Sequence, residues 1–69
     1  MIPGLTPREH DVLVLLPFRL TYEEIGHELG ISKNTVKTHA YHIFGKFGVR
    51  TRREAVTYAL GRGFTCPAA

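Results

Sequence analysis

Between Ile31 and Arg53 the chain carries six cations, Lys33, Lys37, Lys46, Arg50, Arg52 and Arg53, and no acid. Asn34, Thr35, Thr38, His39 and Tyr41 are interleaved among them. Ammonium and guanidinium groups neutralise phosphates. Amide, hydroxyl and phenol groups exchange hydrogen bonds with base edges, and a ring adds apolar contact. The first 30 residues run the other way, with Glu9, Asp11, Glu23, Glu24 and Glu28 against Arg8 and Arg19. A basic segment beside an acidic one points to a surface for a polyanion. A solvated basic helix with no partner has the same composition, so charge alone leaves both readings open.

Other chemistries fare worse. His39 and His42 stand at a spacing that can share a metal on a helix, but no cysteine or acid on that helix completes the set a zinc ion normally needs. No metal or other cofactor is expected. No phosphate-cradling glycine loop, carboxylate pair or activated nucleophile is visible, which argues against an enzyme. The single cysteine, Cys66, has no internal disulfide partner and reads as an incidental tail thiol in a reducing compartment. Met1–Gly4 lacks the basic start and apolar run of a secretory leader, and no apolar stretch approaches a membrane span. These features predict a cytoplasmic protein without membrane contact.

Positioning the basic segment requires helices, and their starts are written in the chain. Thr6-Pro7-Arg8-Glu9, Thr21-Tyr22-Glu23-Glu24 and Thr51-Arg52-Arg53-Glu54 each have the Thr-x-x-Glu form of a capping box, and Ser32 offers a cap without the reciprocal acid. Pro17 stops the first helix, while Gly30, Gly48, Gly61 and Gly63 follow the others. The expected architecture is all-α, with four helices near 7–16, 21–29, 33–47 and 52–61. Residues 1–69 form one domain, ordered over about 5–64, with frayed ends at Met1–Gly4 and Thr65–Ala69.

On the third helix, Val36, Ala40, Ile43, Phe44 and Phe47 fall on one side at 3.6-residue periodicity, and Asn34, Lys37, Thr38, Tyr41 and Gly45 on the other. The first set is a core stripe. The second suits a major groove, although polar residues opposite a core stripe are common on any surface helix. The segment before it favours the groove. A short helix, then Gly30-Ile31-Ser32, then a longer helix is the pattern of a helix-turn-helix, whose second helix enters the groove by its N-terminal part.

Taken together, these strings resemble the DNA-binding domain of the LuxR family, the NarL-like and GerE-like group of bacterial regulators. Leu5-Thr6-Pro7-Arg8-Glu9 with Val12-Leu13, Leu20 to Gly26, and Leu29 to His39 carry the resemblance, which continues through Ile43, Lys46, Phe47-Gly48-Val49, Arg52, Glu54-Ala55-Val56 and Ala59. It implies four helices, a third that recognises DNA and a fourth that contacts a second copy. It also implies that Lys37, Thr38 and Tyr41 contact bases or nearby backbone, that Thr35 and His39 meet phosphate or brace the helix, and that Glu9 is structural. Full-length members usually carry an N-terminal receiver or ligand-sensing domain. The chain departs from the pattern at Pro17-Phe18-Arg19, where a glycine-containing turn is usual, at Glu23, where lysine is frequent, and at Tyr41, where some members have a basic residue. Gly26 replaces a usual alanine, which on helix propensity alone costs about 1 kcal/mol.

The resulting expectation is a regulator that binds double-stranded DNA by sequence. Asn34, Lys37, Thr38 and Tyr41 are assigned to base reading. Lys33, Thr35, His39, Lys46, Arg50, Arg52 and Arg53 are assigned to phosphate, and Tyr58 and Leu60 to a homodimer contact through the fourth helix, with dimerisation only on DNA left open as an alternative. Two rivals remain at this stage: the promoter-reading module of a sigma factor, and a helical adaptor or anti-activator without specific DNA binding, which the acidic first half favours.

Overall fold

The computed structural model describes residues 4–63, which form α1 (Pro7–Leu15), α2 (Tyr22–Leu29), α3 (Lys33–Phe47) and α4 (Arg52–Gly61). The order and type of the elements are those expected. The first two helices are each one residue shorter than read, because Leu16 and Thr21 serve as caps. Cys66 and the frayed ends expected at residues 1–3 and 65–69 lie outside the described residues. Gly4, assigned to a frayed end, is held: its carbonyl accepts a hydrogen bond from Lys46 Nζ at 2.7 Å.

Local chemistry explains each boundary. At α1 and α2 both halves of the capping box are made: Thr6 and Thr21 accept from the amides of Glu9 and Glu24, whose carboxylates accept in return from the cap amides. The third expected box is only half formed. Thr51 accepts from the Glu54 amide at 3.1 Å, but the Glu54 carboxylate takes the Arg50 amide and the Thr51 hydroxyl instead of the Thr51 amide. At the far ends of α2 and α3, Gly30 and Gly48 adopt left-handed geometry with φ 71°. The amides of Ile31 and Val49 then reach back to the carbonyls of Gly26 and Phe44, each at 2.9 Å, the six-to-one bond of a Schellman motif.

The core follows the α3 stripe. Val36, Ala40 and Ile43 are fully buried, and they meet Val12, Leu13 and Leu16 near α1, Ile25 on α2, and Ala55 and Ala59 on α4. α3 packs on all the other helices. At 1.5 Å rise its fifteen residues run roughly 22 Å, so it is the spine of the molecule.

Gly26 reverses the expectation of a loosened helix. It is buried, and a Cβ there would lie 2.5 Å from the Ile31 carbonyl oxygen. The missing side chain is what lets the turn close onto α2 and set the angle between the two helices that matter most.

Candidate nucleic-acid interface

With one face of α3 committed to the core, the opposite face is free. Asn34, Lys37, Thr38, Tyr41 and Gly45 are all exposed and fall at i, i+3, i+4, i+7 and i+11 along one side of the helix. The expected base-reading residues therefore share one exposed surface. Space beside Gly45 is open, with nothing within 4 Å of where its Cβ would sit. Tyr41, 55% exposed, is one of two large apolar side chains left in solvent among the described residues. It is held in place all the same: the Lys37 ammonium lies 5.7 Å from its ring centroid, and the Phe44 ring lies 6.1 Å away on the core side.

The hydroxyls on this helix are partly used. Thr38 donates its proton to the Asn34 carbonyl at 3.0 Å, so no donor is left for a ligand, only its methyl group and an accepting oxygen. Thr35 shares a 2.9 Å hydrogen bond with the Ser32 hydroxyl and donates its amide to the same oxygen, which places it in the helix cap. His39 is half-buried, and its Nδ1 is enclosed without a hydrogen-bond partner.

Two of the residues expected at phosphate make contacts within the domain. Lys46 Nζ donates to Glu9 Oε1 at 2.6 Å and to the Gly4 carbonyl, which ties α3 to α1 and to the chain ahead of it. Arg52 is turned inward. Its guanidinium donates to the carbonyls of Leu16, Phe18 and Leu20, and it lies 5.8 Å from the Tyr22 ring centroid. Both cations satisfy acceptors inside the domain. Lys33, Arg50 and Arg53 remain exposed with Lys37 and, among the described residues, are not paired with a carboxylate.

The Arg52 clamp also accounts for the unusual loop. Pro17-Phe18-Arg19 lacks the expected glycine, yet among the described residues only glycines have positive φ. One guanidinium fastens the loop carbonyls that a tighter turn would have satisfied within itself. The family pattern contained Arg52 as a match, but spacing alone could not distinguish an inward guanidinium from an outward one.

Glu9 is the buried counterpart, 3% exposed. Burial pushes its carboxyl pKa up, but hydrogen bonds from Lys46 and the Thr6 amide and the charges of Lys46 and His42 outweigh that and hold it below its ordinary value. His42 Nδ1 lies 3.4 Å from the second carboxylate oxygen. Tyr22, which the sequence did not single out, stands at the start of α2. Its phenol pKa is raised by burial, against the Arg52 charge, and the electrostatic influence of Tyr41 adds to the rise.

On α4, Ala55 and Ala59 face the core. Tyr58 is more committed than expected: its ring stacks on Phe47 at 4.4 Å, with the Arg62 guanidinium 4.8 Å from its centroid. Leu60, 50% exposed, is the apolar residue of α4 left outward. No helix among the described residues is long and apolar enough to cross a membrane.

Comparison with known proteins agrees with this architecture. Residues 3–59 match the family described as bacterial regulatory proteins, luxR family. The chain is 46% identical over 55 residues to the CsgBAC operon transcriptional regulatory protein of Escherichia coli, covering 80% of this chain and 26% of that protein. It is 46% identical over 56 residues to the transcriptional regulatory protein LiaR of Bacillus subtilis, covering 81% of this chain and 26% of that one. A crystal structure of the response regulator ChrA of a heme-sensing two-component system superposes with a TM-score of 0.83 at 36% identity, over 91% of this chain and 31% of that one. The chain thus spans about a quarter to a third of the length of these proteins.

Proposed function

Since this chain belongs to the LuxR family of bacterial regulatory proteins, we propose that it is the DNA-reading domain of a transcriptional regulator and that α3 enters the major groove of a specific duplex. One observation carries the reading. The only face of α3 not committed to the core presents Asn34, Lys37, Thr38 and Tyr41 together, in line with a turn of left-handed Gly30 that fixes α2 across its start. A groove about 12 Å wide admits such a helix.

Affinity and selectivity then come from different groups. Lys33, Arg50 and Arg53 neutralise phosphates and make binding strongly salt-dependent. Thr35 and His39 face the backbone from the flanks of α3. Lys37, Asn34, Thr38 and Tyr41 meet base edges. Two copies meet through α4 around Leu60, with the outer edge of Tyr58 contributing, in an isologous contact that gives a paired operator. Regulatory input comes from outside this domain, through a sensor domain, a partner or expression level.

Selection from a randomised duplex pool, followed by anisotropy titration of the winner against a scrambled duplex over a range of salt, tests the reading. One enriched motif, bound about 10³-fold more tightly than the control, is the expected result. Binding that is equally salt-sensitive on every duplex overturns it and returns the basic face to general electrostatics.

A further inference from the structure

The polar appearance of the α3 reading face in the sequence conceals an apolar centre. The only hydroxyl proton of Thr38 is held by the Asn34 carbonyl, so this residue has no donor left for a base and offers its γ-methyl group beside an oxygen that can only accept. One turn on, Tyr41 is the one large apolar side chain exposed on the helix, braced between the Lys37 ammonium and the Phe44 ring. Thr38 and Tyr41 stand three residues apart and are neighbours on the helix surface. Beyond them Gly45 leaves open space, so no side chain there holds the ring away from an approaching base.

In the major groove the feature that matches an apolar patch is the 5-methyl group of a pyrimidine, which in unmodified DNA belongs to thymine. We infer that Thr38 and Tyr41 together form a methyl-reading patch and that the preferred duplex carries thymine where they meet it. The reading agent is the tyrosine ring, with its hydroxyl dispensable. Lys37 and Asn34, on the N-terminal side of the patch, supply the polar contacts that fix register. This inference rests on the proposed DNA-reading role of α3.

The test uses the duplex recovered by selection. Its specificity over a scrambled control is measured first, and each thymidine is then replaced singly by deoxyuridine, which removes only the methyl group. The parent should bind about fourfold more weakly at one or two positions, the magnitude of one buried methyl. Tyr41→Ala and Thr38→Ser should lose that sensitivity, the serine retaining the hydroxyl but not the methyl. Tyr41→Phe should keep it. Both residues replaced are exposed, and unchanged circular dichroism melting of the three variants confirms intact folds.

Specific binding with no deoxyuridine effect in the parent overturns the methyl-reading patch and leaves the DNA-reading role standing. The patch is equally overturned if Tyr41→Phe behaves as Tyr41→Ala, which assigns the contact to the hydroxyl, or if both Tyr41→Ala and Thr38→Ser remain as sensitive as the parent, which assigns the effect to duplex shape. Absence of any preferred duplex removes both readings together.

Discussion

Two regions of this domain carry cations that look alike in the sequence and behave differently in the fold. Along the α1–α4 side, Arg52 and Lys46 are consumed by acceptors of the protein itself: the carbonyls of Leu16, Phe18 and Leu20 in one case, Glu9 and Gly4 in the other. Along the outer face of α3 and the start of α4, Lys33, Lys37, Arg50 and Arg53 stand in solvent. A basic stretch is therefore not one charge reservoir. Its members divide according to whether a buried acceptor lies within reach, and only the remainder is available to a polyanion.

The sharpest way to break this division is Arg52→Ala. Removing the guanidinium leaves partly buried carbonyls without their donor. A loss of about 2–4 kcal/mol is expected from hydrogen bonds to a charged group. That is a large part of the 3–10 kcal/mol or so available to a domain of this size. Thermal melting should fall by more than about 10 °C, with DNA affinity reduced only through the unfolded fraction. A stable variant that binds DNA weakly would place Arg52 on the phosphate side after all.

Lys37→Ala should do the opposite. Melting stays within about 2 °C, because the side chain is exposed, while affinity for the selected duplex drops by about 1–3 kcal/mol. Equal affinity of variant and parent would remove Lys37 from the reading face.

Lys46→Ala is expected to cost about 1–2 kcal/mol of stability, discounted from a fully buried pair because the lysine is partly exposed. It also changes the response to acid. Glu9 is held below its ordinary pKa in the folded state, so its contribution is fully present above the unfolded value of about 4.3 and is lost as pH falls through the folded one. The parent's melting temperature should therefore fall steeply below about pH 4, and the variant's curve should be flatter there. Identical curves would mean that Lys46 is not what holds the Glu9 charge.

The smallest effect is expected from Arg53→Ala: unchanged melting, a uniform weakening on every duplex, and a salt slope shallower by about one phosphate contact. A loss confined to the preferred sequence would move Arg53 to the reading group.

How much of this was readable in advance divides along a similar line. Features governed by neighbours in sequence were plain: the Thr6 and Thr21 boxes, the Ser32 cap, and the left-handed Gly30 and Gly48 all rest on interactions within a few residues. The core stripe of α3 and its opposite face followed from period alone. What escaped depended on contacts across more than thirty residues, such as the Arg52 clamp and the Lys46–Glu9 pair. Gly26 escaped for the same kind of reason, since helix propensity says nothing of a carbonyl folded back from the following turn. Thr38 shows the limit even within one helix: residue type announces a hydroxyl, and only the local hydrogen bond reveals that its proton is already spent.

The central claim is that the outer face of α3, and not the α1–α4 side, meets DNA. Amide shift mapping of the isotope-labelled domain, titrated with the selected duplex, tests it most directly. The account predicts the largest changes at Lys33, Asn34, Lys37, Thr38 and Tyr41, smaller ones at Arg50 and Arg53, and little change at Glu9, Lys46 or the loop under Arg52. Changes centred on α1 and that loop, with α3 silent, would contradict it.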